Sequence, residues 1–244
     1  MNRSSLKRRA HEVIATSQPR VILVGLVYLL LCAVVEMLST NVLSVNISES
    51  EAMNYLNYFM NGNYDYALKY LDSMRPPASA YAINTLLTLV MSVVAAGFIL
   101  FLLNTVRNRA ASYGNLLDGF GIFFKILLVN IIAAFFIWLW SLLLFVPGVI
   151  AYYRYSQAIY ILLDDPTKSP LQCLREYKAL MRGHKGELFA LDLSFLGWYL
   201  LRLLPMVGFA SRIWSVPYIA TTKVLFYEQL IGNTVWSYTP EYPV

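Results

Sequence analysis

Apolar residues run almost unbroken through six stretches of this chain, separated by segments in which polar and apolar positions alternate at helical spacing. The first stretch, Val21 to about Thr40, carries one charge, Glu36. The second, Tyr81 to Val106, contains the small-residue patch Val94-Ala95-Ala96-Gly97, where another helix could approach closely. The third, Gly119 to Phe145, places Trp138 and Trp140 toward its far end, as an aromatic belt requires, and Pro147-Gly148 breaks it. The fourth, Val149 to Leu163, reaches only about 22 Å as a helix and needs local thinning or protein cover. The fifth runs from Leu188 to Leu204 and the sixth from Ile213 to about Ile231, with a Pro205–Gly208 turn between them. Several of these approach or exceed the roughly 18 apolar residues that mark a bilayer span. The pattern predicts an all-α polytopic membrane helix bundle of six transmembrane helices, a single domain over residues 1–244.

Three polar segments read as amphipathic surface helices. In the arm over residues 1–19, Leu6, Ala10, Val13 and Ile14 form one stripe of a helix from Ser5 to Ser17. In the loop over residues 41–80, Ser48-Glu49-Ser50-Glu51 matches a capping box, with Met53, Leu56 and Met60 following at helical spacing. A second short helix is expected from Asn63 to Arg75, and a plain loop over the bundle is the competing reading. Over residues 164–187, Ser169-Pro170-Leu171-Gln172 supplies an N-cap and a proline at the first helical position. Leu171, Leu174, Tyr177, Ala179, Leu180 and Met181 then face away from Arg175, Glu176, Lys178 and Arg182, and Gly183 ends the helix.

Composition agrees with a lipid solvent. The chain is 58% hydrophobic and 14% charged, against roughly 25% charged in soluble domains. A soluble core able to hide this much apolar side chain would need a longer chain than 244 residues. The net charge of +5 follows from basic residues gathering in cytoplasmic segments, without a nucleic-acid partner. Lys and Arg cluster at Arg3, Lys7, Arg8, Arg9 and Arg20, at Arg107 and Arg109, and at Lys168, Arg175, Lys178, Arg182 and Lys185. The loop from Asn41 to Ala80 has only Lys69 and Arg75. Both termini are therefore expected in the cytoplasm, and Pro147 is read as the turn of a hairpin, because that alone puts both flanking basic segments inside. Arg202 and Arg212, beside the last outer turn, weigh mildly against this orientation. The first span is read as retained, since no small-x-small cleavage site follows it.

Motifs for chemistry are sparse. Cys32 and Cys173 make neither a disulfide framework nor a metal spacing. Asp164-Asp165 lacks the second carboxylate a turn later that a magnesium–diphosphate site needs, and reads as an acidic turn before a helix. His184 and Glu187 could ligate a metal at i, i+3, but Gly183 and Gly186 mark a turn there. Asn46-Ile47-Ser48 fits a glycosylation sequon, a pattern common by chance. No catalytic residue, cofactor or metal is assigned. The stronger signal is charge within the spans, which is expensive in hydrocarbon and calls for partners. Depth along the helices groups Glu36, Arg154 and Arg202 in the outer half. It places Lys125, Asp192 and Glu228 in the inner half, with Lys223 nearer the middle. Glu36 is expected to pair with Arg154, and Asp192 with Lys125 or Lys223. These are read as interhelix locks, with the lining of a polar cavity as the alternative. Lys7, Arg8, Arg9, Arg175, Lys178, Arg182 and Lys185 are the expected contacts to anionic headgroups at the inner surface.

The order of motifs Val146-Pro147-Gly148, Tyr155-Ser156, Tyr160-Ile161-Leu162, Asp164-Asp165-Pro166, Arg182-Gly183-His184-Lys185 and Leu191-Asp192-Leu193-Ser194-Phe195 resembles the bacterial integral membrane proteins grouped as domain of unknown function 975. The opening Asn2-Arg3-Ser4-Ser5-Leu6-Lys7 and the late Pro217-Tyr218 and Phe226-Tyr227-Glu228 resemble it too, so that the likeness spans almost the whole chain. The resemblance implies a six-span bundle in a bacterial cytoplasmic membrane and supplies no activity to carry over. The expected function is a non-catalytic protein organising partners or lipids in the envelope. A transporter component using the intramembrane charges is the alternative, and a membrane-embedded lipid-modifying enzyme the second.

Overall fold

The computed structural model describes residues 3–44 and 48–237, which form helices joined by turns, with no strand among them. Asn2 and the asparagine of the sequon, Asn46, lie outside the described residues. The helices are α1 (Arg3–Thr16), α2 (Val21–Leu43), α3 (Glu49–Met60), α4 (Tyr64–Ser73), α5 (Ala78–Val106), α6 (Asn115–Asp118), α7 (Phe123–Leu143), α8 (Phe145–Tyr155), α9 (Ala158–Asp164), α10 (Pro170–Leu180), α11 (Lys185–Leu193), α12 (Leu196–Leu201) and α13 (Pro205–Ser237). A 3₁₀ turn, Gly119–Ile122, joins α6 to α7. The chain divides into two compact units, Met1–Leu30 with Ser92–Val244, and Leu31–Met91.

Among the described residues three helical stretches, not six, are long and apolar enough to cross a membrane: Val21–Leu43, Ala78–Val106 and Asn115–Leu143. The other three predicted spans differ for local reasons. The fourth is broken at Ser156-Gln157 into α8 and α9. The fifth is broken at Ser194-Phe195 into α11 and α12, of nine and six residues. The sixth lies within the 33-residue α13, where Pro217, Thr221, Thr222, Lys223, Glu228 and Gln229 interrupt the apolar run.

In the first unit, α7 and α8 form an antiparallel hairpin. Leu144 adopts an extended backbone between them, with φ −168° and ψ 157°. Gly148 is required by the close approach, since a Cβ there would fall on Ser141 Oγ and lie 3.0 Å from Ser141 Cα. Further along, Phe136 stacks on Tyr155 with centroids 5.6 Å apart. At the base, Lys125 Nζ donates to the Pro166 carbonyl at 2.5 Å. The start of α7 is thus level with the end of α9, and the hairpin brings the chain back to where it set out. Residues 158–163 of α9 are all buried, which answers the short fourth stretch's need for protein cover.

The two amphipathic helices of this unit spend their apolar faces on protein. Leu6, Ala10 and Ile14 of α1 are buried, and α1 packs along α13, with the His11 ring 4.6 Å from that of Tyr218 and 5.6 Å from that of Trp214. Cys173, Leu174 and Tyr177 of α10 are likewise buried, and α10 packs on α7, α8 and α9. Most of each stripe meets an apolar wall in the same chain, although Leu171 at the start of α10 stays 49% exposed, and the charged faces turn to the surroundings.

In the second unit, α3 carries the predicted capping box. The Glu51 amide donates to Ser48 Oγ at 3.3 Å, and the Ser48 amide donates to Glu51 Oε2 at 2.8 Å. Aromatic rings join α3 to α4, Tyr58 to Tyr66 at 5.9 Å and Phe59 to Tyr64 at 5.6 Å. The Ser48 backbone and hydroxyl hold the Glu51 carboxyl below the ordinary carboxylate range. A carboxylate lowered on folding adds stability above its unfolded pKa and loses it as pH falls through the folded value. Amide protection at the start of α3, corrected for intrinsic exchange, is expected to drop on acidification below that range in the intact protein. Ser48→Ala should abolish the pH difference, and equal protection at both pH values in the unmodified protein would contradict the role of the cap.

Candidate functional site

α9 and α10 run back to back, and their lengths decide where charges meet. From Arg154 to Asp164 the chain descends about 15 Å, and α10 climbs about 16 Å back. The end of α10 therefore comes level with Arg154. There Arg154, Arg175, Lys178, Arg182 and Lys185 line one cavity of about 940 Å³, with Glu176 as its single carboxylate. That carboxylate is engaged elsewhere: Lys168 Nζ donates to Glu176 Oε2 at 2.7 Å and Gln172 Nε2 to Oε1 at 3.2 Å. The Glu176 contact raises the Lys168 ammonium above its ordinary pKa. Among the described residues no ion pair reaches any of the five lining cations. The Arg154 Nε is buried and has no hydrogen-bond partner. The five cations along the groove are left without a counter-charge, which favours an anion there. Arginine forks and lysine ammonium groups bind phosphate oxygens well.

The helix that carries most of these cations is set by local rules. Ser169 Oγ accepts the Gln172 amide at 3.3 Å and Pro170 occupies the first turn. Gly183 ends the segment at φ +88°, a conformation that favours glycine. With Cys173 and Tyr177 pinned inward, Arg175, Lys178 and Arg182 are left exposed on the opposite face.

Arg154 therefore stands with Arg175 and Lys185, cations that the sequence places in a separate polar segment, because α10 folds back along α9. Glu36 is exposed on α2 in the other unit, so the predicted Glu36–Arg154 pair is not a contact within either unit. Asp192 Oδ1 lies 2.9 Å from Lys223 Nζ, whereas Lys125 is turned to the Pro166 carbonyl. Arg202 donates from Nε and Nη2 to Ser215 Oγ at 3.1 and 2.8 Å.

A second polar cluster was not anticipated as a unit. Arg107, just past α5, donates from Nη1 and Nη2 to the two Asp164 carboxylate oxygens at 2.6 and 3.0 Å, and from Nε to Glu228 Oε1 at 2.8 Å. Tyr227 Oη donates to Asp164 Oδ2 at 2.7 Å. In the sequence Glu228 stands out by its depth in a span, Asp164 as part of a turn and Arg107 as one of several cations beside a span. The neighbouring Asp165 accepts from the Thr167 amide and hydroxyl, which hold its carboxyl below the ordinary range. Asp165 thus serves the local turn, whereas Asp164 joins distant elements. His184 Nδ1 lies 2.7 Å from Glu187 Oε2, and no cluster of three metal-ligating side chains occurs among the described residues.

Of the predicted headgroup contacts in α1, Lys7 donates to the Ser194 carbonyl at 3.0 Å and lies 4.5 Å from the Phe195 ring centroid. Arg3 reaches the Ala190 carbonyl at 3.3 Å. These cations dock α1 on the end of α11, where a helix dipole favours positive charge. Arg8 is 3.8 Å from Glu12, and Arg9 lines two shallow clefts beside α1.

No curated protein and no solved structure matches the chain. A family model described as a protein of unknown function, DUF975, matches residues 142–234. That stretch holds α8 to α12, most of α13 and every lining residue of the basic cavity, while the opening Asn2–Lys7 lies outside it. Over residues 142–234 this chain is similar to the DUF975 family, a family whose description assigns no activity.

Proposed function

We propose that this chain is a non-catalytic membrane protein of the bacterial envelope that gathers anionic lipid headgroups in the cavity between Arg154 and α10. The observation that carries the reading is five cations along one open groove with a single, already engaged carboxylate. Ionisable groups of a membrane protein usually face water-filled indentations or partners, and this wall faces an indentation.

In this reading α2 and α5 cross outward and back, and α7 is answered by the broken return α8–α9. Lys125 at Pro166 supports that return, and broken helices are tolerated in membranes where protein covers them. Arg107, Arg109, Lys125 and Lys168 then share the cytoplasmic face of the cell membrane, as the positive-inside rule requires, and the α10 cations line an indentation that rises from it. A six-crossing count has no support from α11 and α12, which are too short. Charged α1, packed along α13, also argues against a lipid-bathed sixth span. Transport is the weaker reading, because Asp192 with Lys223 and Arg202 with Ser215 close on each other instead of lining a path.

The test is lipid retention by the purified protein in mixed phosphatidylglycerol–phosphatidylcholine nanodiscs. Phosphatidylglycerol should be retained preferentially. Because each basic residue near a headgroup contributes about 1 kcal/mol, Lys178→Gln and Arg182→Gln should each weaken retention about five-fold. Retention in the bulk lipid ratio, unchanged in the double variant, would overturn the reading.

A further inference from the structure

Arg154 lines two spaces. On one side is the basic cavity; on the other is a slot of about 240 Å³ lined by Trp140, Pro147, Ile150 and Ala151, with Arg154 its sole charged member. The slot sits at the turn end of the α7–α8 hairpin, where Trp140 and Ile150 remain 39% and 45% exposed. A charged chamber joined to an apolar one through a single guanidinium has the layout of an amphiphile: phosphate on one side, hydrocarbon on the other. A free phosphate would leave the slot unused, and an uncharged lipid would leave the lining cations without a counter-charge.

We infer that the occupant is a glycerophospholipid with an anionic headgroup, held with its phosphate at Arg154 and one acyl chain in the Trp140–Ile150 slot. This rests on the headgroup reading of the cavity and adds the chain. Arg154 is then the pivot that fixes the lipid's register, while α10 supplies charge around the headgroup. Ile150 is the specificity element for the chain, because it lies on the exposed rim of α8, and Ala151, buried beside it, sets how deep the chain can reach.

The experiment uses the full chain in phosphatidylcholine nanodiscs equilibrated with phosphatidylglycerol, retained lipid being counted by native mass spectrometry. Ile150→Asn should lower phosphatidylglycerol retention about ten-fold, the loss expected when about two methylene groups are no longer buried. Ala151→Phe, which fills the slot, should do the same. In the unmodified protein, glycerol 3-phosphate should displace phosphatidylglycerol only at a large molar excess. If slot variants with unchanged thermal unfolding keep phosphatidylglycerol while Lys178→Gln/Arg182→Gln loses it, the acyl slot is refuted and the headgroup reading stands. If the charge variants also keep it, both fall. Displacement at equimolar glycerol 3-phosphate refutes the slot without any variant, since the chain would then add nothing.

Discussion

Replacing Arg107 by Gln is expected to destabilise the folded protein by about 3 kcal/mol, the lower end of the range for stranding buried charges. The guanidinium holds Asp164 through two nitrogens and Glu228 through a third, so its loss leaves two carboxylates facing each other. Their side chains are 21% and 27% exposed, which lets water relieve part of the penalty and argues against a larger value. The cluster ties the end of α5 to the end of α9 and to α13, three elements far apart in the chain. Arg107→Lys keeps the charge but not the planar fork, and should recover only part of the loss. Adding Glu228→Gln to Arg107→Gln should restore stability relative to Arg107→Gln alone, because one stranded charge disappears. Thermal unfolding of the four proteins in one detergent checks this. An Arg107→Gln protein as stable as the original would show that the cluster contributes nothing.

Gly97→Ala carries the other large expected effect. A Cβ at Gly97 would fall on the Leu116 carbonyl oxygen and lie 2.6 Å from that of Asn115. Both obstacles are backbone, so no rotamer change relieves them, and α5 must move away from α6. Overpacking of this kind costs about 3 kcal/mol, the upper part of its usual range. Gly121→Ala is the control, because nothing lies within 4 Å of the added atom, and a change within about 0.5 kcal/mol is expected there. Equal unfolding temperatures for the two variants would mean that α5 and α6 are not in contact as described.

What was legible in the sequence is what local chemistry determines. Ser48 and Glu51 form their cap because they stand three positions apart, close enough for each to reach the other's amide. Ser169-Pro170 starts α10, and the break expected at Pro147-Gly148 falls at Leu144, with Gly148 in the first turns of α8 meeting Ser141. The small patch ending at Gly97 signalled close approach without naming α6 as the partner. Other features depended on distant contacts. The stripe Leu6, Ala10, Ile14 has the same pattern whether it faces lipid or α13, and only the fold decides. The meeting of Arg154 with Arg175 and Lys185 was hidden, because counting residues along a helix says nothing of a later helix folding back beside it. Asp192 had two candidate cations, and which one arrives depends on how α7, α11 and α13 pack. Arg107 was missed as a site residue because its partners lie 57 and 121 positions away.

The account turns on what occupies the space beside α10, and Ala179 lines that space. A photoreactive benzoylphenylalanine at Ala179, in nanodiscs where phosphatidylglycerol is the minor lipid, reads the occupant directly. Irradiation should yield mainly the phosphatidylglycerol adduct, out of proportion to its share of the bilayer. Adducts that follow the bulk lipid ratio, or that carry no lipid, would contradict the proposal.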